Sequence, residues 1–340
     1  MRLTRFITKK CVLCFCLLFY FAITTHIAKA ESSPPWQKWK STQNISHPLV
    51  GQIYATAEEK FISANELISR LAYQDYTLLG ETHDNSDHHI LQAWVIENIV
   101  VYDRKPVLVF EMIDENQDEI LKTYLQGVKK RIQKRPAQNF GPAVKWTERG
   151  WPEWRIYQPI ARIAFRYKLP ITHGSPTREN VKSVLKKGLS HLTDATKEKL
   201  KLKARLVAPL PKSVKDELSK AHCHLLPNSA LAPMATAQRY KDSSLAERLV
   251  TAGEKKGSIL ISGSGHIRRD RGVPFYIKKH KKNARIGSLE IAEVDGKKMH
   301  IKDYIVRDRR GNPVVDFIWL TPRHERPDPC EHLKKHLNKK

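Results

Sequence analysis

In the segment Thr77-Leu78-Leu79-Gly80-Glu81-Thr82-His83-Asp84-Asn85, a hydrophobic strand ends in a cluster of polar side chains. Residues 76–79 form a short apolar run typical of a buried strand, and Gly80 breaks that run. Residues 84–86 are of types that begin helices, and a segment with helical periodicity follows them. The stretch is therefore predicted to be a strand-to-helix turn, which is where ligands bind in open α/β sheets.

Further apolar segments place this turn in a larger sheet. Strands are predicted at residues 106–110, 169–174 and 257–262, and a helix begins at residue 87. The order strand, helix, strand predicts a right-handed crossover between parallel strands. Two later strands, at 286–294 and 314–320, are expected to form hairpin-like, antiparallel pairs at an edge. The predicted fold class is α/β, with a mostly parallel central sheet, flanking helices and a helical cap or insertion.

The chain is predicted to consist of four segments. Residues 1–30 have the basic start, the apolar core and the small-residue cleavage site of a signal peptide, so we expect an exported protein, with an uncleaved anchor as the alternative. Residues 31–48 are predicted to be a linker, residues 49–325 the α/β domain and residues 326–340 a basic tail. Lysine-rich helices at about residues 178–225 form the predicted insertion, which we call the helical cap.

The chain is strongly basic, with a formal charge of +25 at pH 7. The predicted signal peptide holds five basic residues and no acidic residue, which leaves the remaining 310 residues at +20. Such a charge favours anionic partners such as a membrane surface, and the alternative is a solvated basic surface. No motif for base recognition is present, so we expect no nucleic-acid partner.

Two cysteines, Cys223 and Cys330, lie outside the predicted signal peptide. They could pair in an oxidising compartment. The neighbours of Cys223, His222 and His224, are metal-ligand types, but their spacing is not that of a zinc site. A structural role or a disulfide is the favoured interpretation for Cys223.

Polar side chains follow each predicted parallel strand, and together they predict a functional site. These residues are Glu81, His83, Glu111, His173, His266, Arg268 and Arg269. Because the carboxyl ends of parallel strands meet at one edge, we expect Glu81, His83, Glu111 and His266 to form a ligand or catalytic site. The consecutive residues His88 and His89 leave a helix about 100° apart, so they cannot both face one small site, and either could lie at the surface.

Two chemistries fit these residue types. In the first, carboxylates and imidazoles bind a divalent metal ion through Glu81, His83 and His266, and a glutamate acts as general base in hydrolysis. In the second, the site holds an iron cofactor that has a His or Tyr axial ligand, and Arg268 or Arg269 pairs with its propionates. Residues 234–238 are interpreted as helix packing, and so are the aromatic residues of 151–157, although an aromatic surface would also suit a flat apolar ligand.

The chain resembles the ChaN family of haem-binding lipoproteins in the Tiki superfamily. The resemblance covers nearly all of the chain after the signal peptide, through blocks of residues in the family's order. These blocks are residues 78–85, 87–89, 92–94, 110–112, Trp154, Tyr157, Pro159, 222–223, 226–227, Met234, 237–239, Asp242, 265–270, 272–274 and 328–331.

The resemblance implies an exported protein that binds haem and takes part in iron uptake, often as a dimer that holds haem between subunits. It implies a periplasmic, outer-membrane-associated or cell-surface location and an outer-membrane haem receptor or anionic membrane surface as partner. It also implies a Tyr or His ligand to the iron, with Tyr157 as the preferred tyrosine and with His83, His266, Arg268 and Arg269 as further haem-binding residues. Distant superfamily members, metalloproteases and erythromycin esterase-like enzymes, imply a metal-dependent hydrolase that uses Glu81, His83, Glu111 and His266.

The sequence departs from the ChaN pattern in two places. The family is typically anchored through a lipid-modified cysteine, but no such cysteine follows the cleavage site before Glu31. The family's Asn-x-Pro-Arg after the third strand is replaced by Gly174-Ser175-Pro176-Thr177, with Arg178 one place later. The first departure argues against a lipid anchor, and the second predicts that the contact made by the family's arginine is shifted or lost.

Overall fold

The computed structural model describes residues 36, 38–102, 104–204, 217–220, 222–328, 330, 331 and 334. The predicted signal peptide, residues 1–30, lies outside the described residues, as do part of the helical cap and most of the predicted tail. Within the described ranges, no helix combines the length and the apolar character that crossing a membrane requires.

The described residues alternate between strands and helices over most of their length. The strands are β1 (Ile53–Ala55), β2 (Lys60–Ile62), β3 (Tyr76–Glu81), β4 (Val107–Asp114), β5 (Ile171–Ser175), β6 (Ser258–Gly263), β7 (Ile286–Glu293) and β8 (Phe317–Thr321). The α-helices are α1 (Ala64–Ala72), α2 (Ser86–Val101), α3 (Asp118–Lys129), α4 (Pro136–Ala143), α5 (Trp154–Arg166), α6 (Arg178–Lys187), α7 (Asp194–Lys199), α8 (Asn228–Ala252) and α9 (Val273–His280).

The strands form one sheet in the order β2-β1-β8-β7-β3-β6-β4-β5. The six strands from β8 to β5 are parallel, while β1 is antiparallel to both β2 and β8. This mostly parallel sheet with flanking helices confirms the predicted fold class. In this order β3 lies between β7 and β6, and β4 lies next to β6, so their carboxyl ends adjoin at one edge.

The expectation that β7 and β8 are antiparallel is wrong. β7 pairs in parallel with β3, and β8 pairs in parallel with β7. Residues 294–316 connect β7 to β8 and include a short 3₁₀ helix at Ile301–Tyr304. A connection of this length can return the chain to the other end of the sheet, which parallel pairing requires and a tight hairpin turn cannot do.

Local sequence explains where the helices that flank β3 begin. The side chain of Ser63 accepts a hydrogen bond from the backbone N–H of Glu66 and caps α1. The side chain of Asn85 accepts one from the N–H of Asp87, at 2.9 Å, and caps α2. The strand-to-helix turn predicted after β3 is therefore confirmed, and it ends at a capped helix.

The core lies on both faces of the sheet. Because side chains alternate along a strand, Leu79 packs on the face that carries α2 and α5, whereas Leu78 packs on the face that carries α8 and α9. Glu81 follows Leu79 by two residues and continues the first face. The strand end thus directs successive side chains toward different helices.

The described part of the predicted linker packs against the domain, unlike a free linker. The backbone N–H groups of Lys40 and Ser41 each donate to the carboxylate of Asp87 at 2.8 Å. The indole of Trp36 lies 5.1 Å from those of Trp94 and Trp319, measured between ring centroids. These contacts hold the segment against α2 and β8.

Candidate functional site

The first half of the candidate site is a carboxylate and imidazole pair at the end of β3. The Nδ1–H of His83 donates to Glu81 Oε1 at 2.6 Å. The Glu81 side chain is completely buried, while 35% of the His83 side chain is exposed. Burial opposes protonation of the imidazole, but the charge of Glu81 and this hydrogen bond raise the pKa of His83. The pair therefore presents a histidine at the surface with a carboxylate behind it.

The second oxygen of Glu81 has no hydrogen-bond partner among the described residues, although it is buried. Such an atom is uncommon, because leaving a buried acceptor unpaired costs about 1–3 kcal/mol. The strand end therefore retains an acceptor that a bound proton donor could use.

Tyr157 and His89 hold the backbone beneath His83. The hydroxyl of Tyr157 donates to the carbonyl oxygen of His83 at 3.2 Å and also lies 3.2 Å from Glu81 Oε1. The Nε2 of His89 lies 3.0 Å from the same carbonyl oxygen, and its ring packs on Tyr157 with 3.7 Å between centroids. Burial and then the charge of Glu81 raise the pKa of Tyr157 well above its usual value, so the phenol stays protonated.

The interpretation of His88 or His89 as a surface residue is wrong, because both side chains are fully buried. The Nδ1 of His88 accepts from the N–H of Thr82 at 2.9 Å, and its Nε2 lies 2.9 Å from the hydroxyl of Thr321. Burial lowers the pKa of His88 to about 3, so its imidazole is neutral. As the helix geometry requires, the two rings point apart, and only His89 reaches the backbone of His83.

The second half of the site surrounds Glu111 on the other face of the sheet. Its Oε1 lies 2.6 Å from the Nζ of Lys241 and 3.0 Å from the Nε2 of His266. Its Oε2 accepts from the backbone N–H of Gly263 at 2.9 Å. Burial would raise the pKa of Glu111, but His266 and Lys241 hold it well below its usual value. Glu111 is therefore an ionised, fully paired carboxylate.

His266 joins β6 to the long helix α8. Its Nδ1 lies 2.5 Å from the Oδ1 of Asp242, and the side-chain amide of Gln238 lies 2.9 Å from the same nitrogen. Burial would lower the pKa of His266, but Glu111 and Asp242 raise it to about 9. The charged imidazolium uses both N–H groups, one on each carboxylate.

The two halves meet at Gly263, the last residue of β6. A Cβ atom at this position would lie 3.1 Å from His83 Nε2 and 3.8 Å from Glu111 Oε2. The glycine therefore leaves open the space between the imidazole of His83 and the carboxylate of Glu111. This brings all four predicted residues, Glu81, His83, Glu111 and His266, to one edge of the sheet.

The geometry does not support the predicted metal ion. Within the described part of the chain, no group of three or more His, Cys, Asp or Glu side chains is arranged to hold a metal ion. The reason lies in the pairing: Glu111 is bound by Lys241 and His266, and both ring nitrogens of His266 are engaged by carboxylates. The predicted ligands Glu81, His83 and His266 are also divided between the two halves of the site.

The side chains of His173, Arg268 and Arg269 bind other partners, and among the described residues they form no hydrogen bond or ion pair with the four residues of the site. His173 Nδ1 lies 3.0 Å from Asp118 Oδ1, and its Nε2 faces the guanidinium of Arg248 at 2.5 Å. Arg268 forms ion pairs with Asp270 at 2.8 Å and with Glu217 at 3.0 Å, and Arg269 pairs with Asp316 at 2.5 Å. Arg268 and Arg269 each have a carboxylate partner within the chain. Burial lowers the pKa of His173, so its imidazole is neutral and lies between Asp118 and Arg248.

Three residues of α8 belong to the site although sequence reasoning missed their role. Gln238 and Asp242 contact His266, and Lys241 contacts Glu111. The sequence pattern of residues 234–238 most simply predicts helix packing. One sequence feature could have indicated this role. Gln238 and Asp242 are four residues apart, so both polar side chains lie on one face of the helix.

The turn that carries His83 is anchored to the C-terminal segment. The guanidinium of Arg326 pairs with Asp84 at 2.7 Å and with Glu293 at 2.6 Å. Four residues later in the chain, Cys330 forms a disulfide with Cys223 of the helical cap. The sequence does not determine whether these two cysteines pair, and the structure contains the disulfide. The bond connects the cap to the segment whose Arg326 binds Asp84.

A sequence profile of the family described as haem-binding uptake, Tiki superfamily, ChaN matches residues 67–277. Among solved structures, ChaN of Campylobacter jejuni, described by its cofacial haem binding, has a TM-score of 0.61 and 22% identity, over 78% of this chain and 95% of that chain. This similarity establishes a shared fold.

Two other solved structures are more distant. An erythromycin esterase, EreC, in its open conformation has a TM-score of 0.38 and 12% identity, over 82% of this chain and 99% of that chain. The type III effector HopBA1 has a TM-score of 0.39 and 10% identity, over 76% of this chain and 92% of that chain. Both scores are too low to carry an argument. No curated protein sequence matches the chain.

Proposed function

The chain belongs to the ChaN family of the Tiki superfamily, whose description is haem-binding uptake, and on that premise we propose that it binds haem at the carboxyl edge of the sheet. The family assignment confirms the resemblance seen in the sequence. The finer proposals concern the iron ligand, the surroundings of the haem and the role of binding in the cell.

The proposal rests on the hydrogen bonding and exposure of the His83 side chain. Its Nδ1 is held by Glu81, its side chain is 35% exposed, and its Nε2 makes no hydrogen bond within the described part of the chain. A histidine whose other nitrogen donates to a carboxylate is oriented and made more basic as a metal ligand. Histidine is also a common axial ligand of haem iron. We therefore assign the Nε2 of His83 as the ligand to haem iron.

An aromatic side chain next to His83 suits a flat apolar ligand. The rings of His83 and Trp151 lie 5.0 Å apart, and the Nε1–H of Trp151 donates to the carbonyl oxygen of Met112 at 2.8 Å. The indole is therefore fixed beside the proposed ligand. Haem, when bound, supplies an iron that takes an axial ligand and a large apolar ring that stacks on aromatic surfaces.

The other predicted haem ligands have positioning roles in this proposal. Tyr157 is wholly buried, and its raised pKa disfavours the phenolate that would bind ferric iron. His266 has both ring nitrogens on carboxylates. Arg268 and Arg269 would have to leave their own carboxylate partners to bind propionates. We assign Tyr157 to the support of His83, and His266 to the junction between β6 and α8.

The proposal extends to the setting in which haem is bound. We propose that the protein is exported to the periplasm, outer membrane or cell surface, where it takes part in haem uptake and delivers haem to an outer-membrane receptor. Haem would lie between the helical cap and the strand ends, and a homodimer would enclose it between two copies. The Cys223–Cys330 disulfide supports export, because such bonds persist in oxidising compartments.

Titration of the purified protein with haemin tests the proposal. We expect a saturable shift of the Soret band at stoichiometric haemin, with sedimentation velocity reporting whether the haem-loaded protein is a dimer. A Soret band identical to that of free haemin at every protein concentration would contradict the proposed function. A shifted band without a change in sedimentation would contradict only the dimer.

Hydrolysis is the second candidate function, and one observation favours it. Glu81 Oε2 is a buried acceptor without a hydrogen-bond partner in the described part of the chain. A carboxylate oxygen that is free in this way could accept a proton from a bound water molecule, as a general base does. In this alternative, Glu81, His83, Glu111 and His266 line the catalytic site. Ester hydrolysis that is abolished in Glu81→Gln, with metal content measured on the same sample, would support it over haem binding.

A further inference from the structure

A large open cavity lies at the amino ends of the strands, opposite the candidate haem site. It has a volume of about 890 Å³ and is lined by the connections that precede β3, β4, β6 and β7. β3 has six residues, so roughly 20 Å of strand separates its two ends. The cavity is therefore independent of the site at Glu81 and His83.

The charged side chains around this cavity are mostly cationic. The six cations are Arg104, Lys105, Lys255, Lys256, Lys281 and Arg285, and the two acidic residues are Asp75 and Glu254. Among the described residues, Arg285 is the only one of these cations that forms an ion pair, with Asp75 at 2.8 Å. The rim of the cavity therefore carries an excess of positive charge that the described part of the chain does not neutralise.

A second cluster of lysines extends this charge. The last turn of α9 contains Lys278 and Lys279, and Lys281 and Lys282 follow His280. Four lysines within five residues form a polybasic segment of the kind that anionic lipids attract. Because Lys281 also lines the cavity, the polybasic segment and the cavity form one continuous surface.

Exposed apolar side chains stand beside these cations. Tyr73 and Tyr102 line the cavity and are 64% and 47% exposed, and Val101 next to them is 47% exposed. The two phenol rings lie 6.4 Å apart in an edge-to-face arrangement. Tyrosine is enriched where proteins meet the interface between water and lipid, because its ring is apolar and its hydroxyl is polar.

We propose that this surface, the amino-end face formed by the cavity residues and the lysines of residues 278–282, docks on an anionic lipid membrane. The lysines and arginines provide attraction to lipid phosphates, at about 1 kcal/mol for each basic residue near the surface, which is roughly fivefold in affinity. Tyr73, Tyr102 and Val101 enter the headgroup region. The orientation leaves the carboxyl edge of the sheet, with His83, facing away from the membrane.

Sedimentation with lipid vesicles tests the docking surface. We expect the full chain to bind vesicles of phosphatidylglycerol mixed with phosphatidylcholine, to release them at high salt and to ignore vesicles of phosphatidylcholine alone. The triple substitution Lys255→Glu, Lys256→Glu, Lys281→Glu should weaken binding by at least about a hundredfold, because each basic residue is worth roughly fivefold. The double substitution Tyr73→Ser, Tyr102→Ser leaves the charge unchanged and should weaken binding about tenfold.

A matched control distinguishes this face from a general effect of charge. Lys182→Glu, Lys186→Glu, Lys187→Glu makes the same change of charge on exposed positions of α6. Binding that the control weakens as much as the first triple substitution would overturn the proposal, as would equal binding to neutral vesicles. Retained binding in the tyrosine variant would also overturn it. The far-ultraviolet circular dichroism spectrum of each variant reports that the protein is folded, independently of haem binding.

Discussion

Glu81 Oε1 lies 2.6 Å from His83 Nδ1, so a buried carboxylate holds one nitrogen of a histidine whose side chain reaches solvent. Outer carboxylates of this kind typically contribute ten- to hundredfold to metal affinity. We expect Glu81→Gln to weaken haemin binding by about tenfold, because the amide has no charge with which to orient and polarise the imidazole. The pKa of His83, measured by NMR titration, should fall in the same variant.

The control for this prediction is Glu153→Gln, since Glu153 is an exposed glutamate at the start of α5. It should leave both the haemin affinity and the pKa of His83 unchanged. Equal haemin affinity in Glu81→Gln and the unaltered protein would contradict the role given to this carboxylate.

Gly263→Ala tests whether the space in front of His83 is needed. The new methyl group would lie 3.1 Å from His83 Nε2, which requires the ring to move. Crowding of this kind costs about 1–3 kcal/mol, so we expect haemin affinity to fall roughly ten- to hundredfold. Gly265→Ala is the matched control, because a Cβ there has no neighbour within 4 Å. Equal affinities of the two variants in a haemin titration would show that the space is not used.

Tyr157→Phe separates positioning from ligation. The substitution removes the hydroxyl that donates to the carbonyl oxygen of His83 and lies beside Glu81. We expect a loss of about 1 kcal/mol in the free energy of unfolding, with the visible spectrum of the ferric haem complex unchanged. If the phenolate of Tyr157 were the axial ligand, the substitution would change that spectrum, and the assignment of His83 would be wrong.

The charge of His266 makes stability depend on pH. Its pKa is raised from 6.5 to about 9 in the folded protein, so this stabilisation is complete below pH 6.5 and is lost as the pH rises through 9. The loss is about 3 kcal/mol at most, because each unit of pKa shift is worth about 1.4 kcal/mol. Urea unfolding between pH 6 and about 9 should show this decline, and His266→Gln should flatten it. A decline of equal size in the variant would assign it to another group.

Sequence patterns predicted those structural elements that are determined by residues close together in the chain. The turn from β3 into α2 followed from the helix cap at Asn85, whereas the expectation that Gly80 breaks the strand is wrong, because β3 continues through Gly80 to Glu81. The orientation of β8 did not follow, because it depends on where the connection after β7 crosses the sheet. The pairing of strands that are distant in the chain depends on how they pack in the folded protein. The sequence of one segment alone does not determine it.

The same division applies to the candidate site. Parallel strands bring Glu81, His83, Glu111 and His266 to one edge, so their proximity followed from residue type and strand order. Their partners on α8 could not be inferred in the same way, since the contact between Asp242 and His266 depends on how the helix lies across the sheet. The burial of Tyr157 and the internal ion pairs of Arg268 likewise depend on tertiary packing.

The most direct test of haem ligation by His83 is the rescue of His83→Gly by imidazole. The substitution removes the ring and leaves space that a free imidazole molecule can fill. We predict that His83→Gly loses the Soret shift with haemin, and that added imidazole restores a shift that depends on the protein and differs from that of haemin with imidazole alone. A full Soret shift in His83→Gly without imidazole would contradict the assignment of His83 as the ligand to haem iron.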